Sequence, residues 1–291
     1  MDTLLGISIS SESVEAVALQ PRGQAMSVKA IGEWKRTPDT GLTALGDRLQ
    51  SFMDANGVRA KALTVALDTS LLFVHTFPVE TGSSREDWQQ HARWERAQFF
   101  PTLPQEEFIS DVFALPPRPS QQAQNIMSLS IRREDVQSLR SIAQDAGMAL
   151  GGVDGAHFCA ETALLERSSE FQNMRLLFVA VKKQSCEWSL FEQKALVHYE
   201  SRRAEGTASV ADVLLSAVRE HQPDQIILLG PLATREMQDA LREATPVPVR
   251  VFDPFQGVDL PPELPLSEHF GAASFRFAAA VGAALRGAGE A

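Results

Sequence analysis

An α/β fold of two lobes is what this sequence predicts, and three observations carry the prediction. The first is the opening stretch, where an apolar run (Leu4, Leu5, Ile7, Ile9) turns at Ser10-Ser11-Glu12-Ser13 into a second run (Val14, Ala16, Val17, Leu19), the pattern of a buried hairpin. The second is a weak internal repeat, because Leu176–Val181, Cys186–Phe191 and Ala195–Ser201 lay out three strands as the N-terminus does. The third is size: 291 residues exceed one average domain and leave ample chain for two cores. The predicted division is 1–77 with 151–170 for the first lobe, 78–150 for an inserted α/β unit, and 171–291 for a reduced second lobe.

The elements follow in chain order. After the hairpin, Ser27–Trp34 reads as a third strand and Thr37-Pro38-Asp39-Thr40 as a turn into a helix. Leu42, Leu45, Leu49, Phe52 and Met53 recur at helical spacing up to a stop at Gly57. Ala62–Leu67 and Leu71–Phe77 are strand patterns, the second ending at Pro78. The inserted unit opens with a helix on which Trp88, Ala92, Glu95 and Phe99 share a side, its start marked by Ser83, Ser84, Glu86 and Asp87. Pro101 and Pro104 end that helix. Phe108–Leu115 and Ile126–Ile131 follow as strands, with Pro116–Gln124 as a flexible loop between them. Val136, Leu139, Ala143 and Ala146 make a second helical face closed by Gly147. After the three repeated strands come a helix over Ala208–His221, a strand Gln225–Leu229, a helix Thr234–Ala244, a strand Val249–Phe252 and a last helix Gly271–Arg286.

Composition narrows the function classes. A formal net charge of −10 argues against nucleic-acid binding, which needs basic surface to neutralise phosphates, and against electrostatic attachment to anionic lipid. Cys159 and Cys186 sit in apolar surroundings without companions at metal spacing, so both read as reduced, buried thiols and no metal is expected. Asp2 stands where a cleavable signal would carry a basic start, and the apolar stretch Phe277–Leu285 is too short to span a bilayer. The expectation is a cytoplasmic chain that reaches a membrane through a partner, without direct membrane insertion.

The opening hairpin resembles that of the actin-like ATPases, which reads G-I-D-I-G-S-S-S-V-K-A-V and whose turn holds the phosphates of ATP. Here the Asp position is Ser8, the second Gly is Ser10 and the Lys is Glu15. Across nearly its whole length the chain is similar to the PilM-like proteins, cytoplasmic members of the type IV pilus assembly platform. Their inserted subdomain carries R-W-E-x-x-x-x-x-P, then acidic residues, then D-x-x-x-L. The matching residues are Arg93, Trp94, Glu95, Pro101, Glu106, Glu107, Asp111 and Leu115. Val153-Asp154 ahead of the apolar run Ala160–Leu165, the DPFQG at 253–257 and the AVGAALR at 280–286 extend the match. The resemblance implies an actin-like (ribonuclease H-like) fold.

Three glycine-containing turns make a nucleotide site in that family, because glycine lets backbone N–H groups approach phosphate. The first turn offers Ser8 and Ser10. The second, D-x-G in the family, aligns with Ala180-Val181-Lys182, and the third, G-G, with Gly230-Pro231, where proline removes a donor. Carboxylates commonly hold Mg²⁺ in phosphoryl-transfer sites, and the D-x-G carboxylate is absent here. Lys182 and Lys183 could attract phosphate, although two solvated turn residues is the favoured reading. Only Arg202–Thr207 separates the strand and helix between which PilM carries a lid subdomain. No cofactor is therefore expected, and these positions read as vestigial.

No other catalytic signature competes: G-x-S-x-G, H-E-x-x-H, Walker and C-x-x-C patterns do not occur. His157 and Cys159 lie two apart entering a helix, a spacing that points side chains apart and favours packing over a thiol–imidazole pair. Arg85–Arg96 reads as a solvated helix face. The leading expectation is a non-catalytic scaffold, a pseudo-ATPase that binds the cytoplasmic tail of a PilN-like inner-membrane protein and helps recruit an assembly motor ATPase. By resemblance the tail's groove lies between the first-lobe sheet and the segment from Trp88 to Phe100, with Trp88, Trp94 and Phe99 as candidate partner-binding residues. The alternatives are a divergent nucleotide-binding ATPase or kinase using substitute residues, and a self-assembling filament protein.

Overall fold

The computed structural model describes residues 3–23, 25–36, 43–116, 123–167, 169–204, 206–262, 264 and 273–288. In chain order the elements are β1 (Leu4–Ile9), β2 (Ser13–Arg22), β3 (Ala25–Lys35), α1 (Thr43–Ala55), β4 (Ala62–Leu67), β5 (Phe73–Glu80), α2 (Arg85–Phe99), β6 (Phe108–Ala114), β7 (Ala123–Arg132), α3 (Arg133–Asp145), β8 (Ala149–Gly155) and α4 (Ala156–Arg167). The second half continues with β9 (Arg175–Val181), β10 (Ser185–Glu192), β11 (Ala195–Arg203), α5 (Gly206–His221), β12 (Gln225–Leu229), α6 (Arg235–Ala244), β13 (Val249–Val251) and α7 (Ala278–Arg286), which a 3-10 turn at Ser274–Phe277 precedes.

Two five-stranded sheets have one topology. The first runs β3-β2-β1-β4-β8 and the second β11-β10-β9-β12-β13, so each lobe places its third, second, first, fourth and fifth strands side by side in that order. The registers agree as well. Ser8 lies opposite Glu15 in the first hairpin, and Ala180 opposite Glu187 in the second. Ser8 and Ala180, Ser10 and Lys182, and Glu15 and Glu187 are equivalent positions of a repeated hairpin.

The inner faces of both sheets share one apolar core. Val17, Leu19 and Val28 of the first lobe and Phe178, Ile227 and Leu229 of the second meet around α4 and α7. Helix α7 explains the apolar, small-residue segment near the C-terminus, since every residue from Ala278 to Leu285 is buried. Two glycines permit its depth. A Cβ on Gly6 of β1 would overlap the Ala280 carbonyl and the Ala284 nitrogen, and one on Gly282 would overlap the Cys159 carbonyl of α4. Outside, α1 and α3 pack on the first sheet, with Leu45, Leu49, Phe52, Leu139 and Ile142 in its core. Helices α5 and α6 cover the second through Val210, Leu214, Met237 and Leu241.

The inserted unit differs from the sequence reading in three ways. Its sheet has three strands, β5-β7-β6, because the strand expected to end the first-lobe pattern joins β7 instead. That strand starts at Phe73 and continues through Pro78 to Glu80, a proline tolerated because β5 is an edge strand. Helix α3 belongs to the first-lobe core through Leu139, Ile142 and Ala143, so the helix–strand–strand–helix run from 78 to 150 is not self-contained. The face of α2 is also turned. Ser84 and Asp87 form the expected capping box, but Ala92 and Arg96 are the buried residues, while Phe99 is 55% exposed. Arg96 leaves solvent because its guanidinium donates to Gln105 Oε1 at 2.9 Å and Ser130 Oγ at 3.0 Å, also reaches Ser110 Oγ, and stacks on the Phe108 ring.

Other elements follow expectation within a few residues. β11 ends at Arg203 and α5 begins at Gly206, so their connection is as short as the sequence implies. After β13 the chain turns at Asp253–Gly257 and returns to the first lobe, where Asp259 exchanges backbone hydrogen bonds with Met26 and Val28 of β3. The turn at 37–40, Leu42, the loop residues 117–122 and the helix start at 271–272 lie outside the described residues.

Candidate functional site: the cleft between the lobes

The β1–β2 turn satisfies its own backbone. Ser10 Oγ accepts from the Ser13 N–H at 2.9 Å and the Glu12 N–H at 3.2 Å, and the Ser10 N–H donates to the Ser13 carbonyl at 2.9 Å. Arg36 takes up the Ser10 carbonyl at 3.0 Å. A glycine at position 10 would leave those two amides free for an anion. A serine supplies the oxygen itself.

The β9–β10 turn faces this hairpin, and here the expectation for the lysine pair is corrected. Lys182 is no solvated turn residue: its side chain is 18% exposed, its Nζ lies 2.5 Å from Asp68 Oδ2 and donates to Thr69 Oγ1 at 3.0 Å, and it pairs with Glu187 Oε1. Asp68 and Thr69 follow β4 in the first lobe, whereas Glu187 sits on β10 of the second, fully buried. Burial opposes the ammonium, but Glu187 and Asp68 outweigh it and raise the Lys182 pKa. Burial likewise opposes the Asp68 carboxylate, and Lys182 outweighs it to hold that pKa below the ordinary value. Lys183 is exposed and reaches Glu12 at 2.7 Å, which links the β9–β10 turn to the β1–β2 turn. The third turn is laced to the second. Gly230 has φ +90°, a conformation that glycine accepts and a Cβ would bring within 2.7 Å of the Val181 carbonyl, and that carbonyl accepts from the Leu232 N–H at 3.2 Å. Ser10 and Lys182 thus stand on facing turns and Gly230 lies against Val181 beside Lys182, while Ser8 and Ala180 are buried within their strands and Pro231 is exposed.

Acids stand on both walls. Glu15, in the family's lysine position, is buried, and burial raises its pKa to about 7 against a hydrogen bond from Ser13 and the field of Arg276. Arg276, from the turn before α7, is itself paired with Glu33, Glu15's cross-strand neighbour. The equivalent acid, Glu187, takes Lys182. The turn amides that could face a phosphate are taken by Ser10 Oγ, and the Lys182 ammonium is already paired with two carboxylates, so neither is offered to a triphosphate.

Deeper in the seam between β10 and α4, His157 Nε2 lies 2.9 Å from Ser189 Oγ and 3.4 Å from Glu161 Oε1, and Ser189 also bonds Glu161. All three are buried. Burial lowers the His157 pKa to about 3, Lys182 adding to it, and raises that of Glu161 to about 8, so both are neutral at pH 7. Cys159 turns the other way, packing with Ala66, Ala279 and Ala283, its thiol pKa raised by burial. No thiol–imidazole pair forms.

The candidate partner residues lie elsewhere, on the inserted unit. Trp88 packs against the small core of Phe77, Ala92, Val112 and Ile126. Trp94 is 58% exposed, and Phe99 is nearly as open. They border a row of rings: His91 stacks on Phe77 at 4.7 Å and meets Trp94 at 5.7 Å, and Phe99 meets Phe73 at 5.0 Å and His75 at 5.3 Å. Glu95 stands 3.3 Å from both His75 and His91. Sequence reasoning missed Asp68, Thr69, Glu187, Glu161 and Ser189. The available signal was an acid inside each of two apolar strands, Glu15 and Glu187.

No family model matches the sequence. Among the described residues no helix is long and apolar enough to cross a membrane. A chain of the solved PilM–PilN type IV pilus biogenesis complex is similar over 97% of this chain and 98% of its own, at 19% identity and a TM-score of 0.75. A Bacteroides thetaiotaomicron protein with an actin-like ATPase fold and unknown function is similar over 87% and 91%, at 14% identity and 0.58. The cytoplasmic domain of EpsL, an inner membrane component of the type II secretion system of Vibrio cholerae, covers 98% and 95% at 13% identity and 0.54. The chain therefore has the actin-like ATPase fold, in a form shared along its length with a chain of the PilM–PilN complex.

Proposed function

We propose that this chain is a non-catalytic cytoplasmic scaffold of a type IV pilus or related secretion assembly platform. It holds the cytoplasmic segment of a PilN-like inner-membrane protein, which places it at the membrane without inserting, and it offers an assembly motor ATPase a surface to join. The observation that carries the reading is the cleft. Ser10 Oγ takes the amides that would face a phosphate, and Asp68 and Glu187 claim the Lys182 ammonium. The chain's own side chains span this cleft, which supports a role other than nucleotide turnover. The likeness to a PilM–PilN chain supports the choice of partner. The exposed rings of Trp94 and Phe99, beside the half-buried edge strand β5, supply an apolar surface for an extended segment.

The test is a titration of the full chain with a peptide of a PilN-type N-terminal cytoplasmic segment. Saturable binding that Trp94→Ala and Phe99→Ala weaken at least tenfold supports the proposal. No binding, together with Mg²⁺-dependent ATP hydrolysis, would favour the divergent ATPase.

A further inference from the structure

In two-lobed folds closure usually follows a ligand that touches both lobes. At this cleft the bridging group belongs to the chain. Asp68 and Thr69 stand at the end of β4 in the first lobe, and Glu187 stands on β10 in the second. Their oxygens converge on the one nitrogen of Lys182, at 2.5 Å from Asp68, 3.0 Å from Thr69 and in contact with Glu187. Thr69 Oγ1 also donates to Glu187 Oε1, so a hydroxyl–carboxylate hydrogen bond crosses the cleft beside the ammonium contacts. Glu187 is 0% exposed and its second oxygen, Oε2, is buried with no hydrogen-bond partner. A buried carboxylate needs a partner for its charge, and here the Lys182 ammonium held against Oε1 is that partner.

The surroundings give that cation no easy substitute. Glu12 is taken by the exposed Lys183 at the rim, a pair that salt screens and that contributes little. Arg276 is engaged by Glu33 on the far wall. Behind the cluster lies the His157–Glu161–Ser189 seam, whose histidine is neutral. We infer that Asp68, Thr69 and Glu187 form an inter-lobe cation site whose resident is the chain's own Lys182 ammonium. This tethered cation, rather than a diffusible ligand, holds the two lobes together at the cleft. The α4–α7 contact behind it is apolar and backbone-close, so releasing the cation loosens the cleft without parting the lobes.

The experiment uses the full chain and reads amide hydrogen exchange at the two turns, residues 10–13 and 182–185, with small-angle scattering as a measure of closure. Asp68→Asn removes the charged part of the first-lobe link, with Thr69 left as the remaining first-lobe contact, and keeps Lys182 paired with Glu187 inside the second lobe, so its fold does not depend on the latch. Lys182→Met keeps the side chain's bulk and removes its charge. Both variants are expected to exchange at least about tenfold faster at both turns, while Lys183→Met exchanges as the wild type does. In Lys182→Ala the shortened side chain leaves space for a small amine, and propylammonium at millimolar concentration restores slow exchange whereas tetramethylammonium, which has no N–H to donate, does not. Wild-type exchange in both Asp68→Asn and Lys182→Met would overturn the latch. Fast exchange in Lys182→Ala that propylammonium leaves unchanged would overturn the cation site.

Discussion

Replacing Glu15 by glutamine separates the charge of the buried acid from its shape. Burial lifts the pKa of Glu15 from 4.5 to about 7, with Ser13 and Arg276 pulling it down and Glu33 pushing it up. Between those two values the folded chain holds a proton that the unfolded chain has released. Stability from this group is therefore full below pH 4.5 and is lost as pH rises to about 7. At 1.36 kcal/mol per pKa unit the loss is roughly 3 kcal/mol above pH 7. Glu15→Gln keeps the volume and the capacity to bond Ser13 and removes the titration. Thermal unfolding of both proteins from pH 4.5 to 8.5 reads the difference. The two melting temperatures are expected to agree near pH 4.5 and to diverge in favour of the variant to about 5–10 °C at pH 8. His157 and Glu161 titrate in both proteins and cancel from the comparison. A difference that stays constant across the range would refute the assignment of Glu15 as a buried, protonatable acid.

Four further outcomes follow from the same geometry. Gly282→Ala places a methyl group against the Cys159 carbonyl and 3.2 Å from the Ala160 nitrogen, so α4 and α7 must part. Overpacking outweighs the ~1 kcal/mol helix gain and costs about 1–3 kcal/mol net, seen as a lower denaturation midpoint. Gly46→Ala in α1 meets nothing within 4 Å and is expected to raise the midpoint by up to about 1 kcal/mol, a matched control. Trp94→Ala changes stability by no more than about 0.5 kcal/mol, because the ring is 58% exposed. Trp88→Ala, by contrast, opens the small core around Phe77 and Ile126 and is expected to cost about 3 kcal/mol.

What the sequence made legible is what local periodicity encodes. Alternation across Leu4–Leu19 predicts the first hairpin, and its register keeps Ser8 against Glu15. The Ala62–Leu67 and Gln225–Leu229 runs match β4 and β12 residue for residue. Long-range partners left no such trace. Thr69 and Lys182 are 113 residues apart, so nothing near Lys182 shows that Asp68 and Thr69 would meet it, and exposure priors favoured a solvated lysine. Arg96 failed for a related reason: its hydroxyl partners Ser110 and Ser130 come from two other strands. Pro78 looked like a strand end because the free edge that tolerates it exists only once β5 has joined β7.

The account's central claim is that the chain's own side chains occupy the cleft. Calorimetric titration of the purified chain with ATP and Mg²⁺, with a parallel thermal-shift scan, tests it most directly, because a ligand that binds the folded state alone must raise apparent stability. The account predicts no saturable heat and no shift at millimolar ATP. A saturable heat with a matching rise in melting temperature would contradict it.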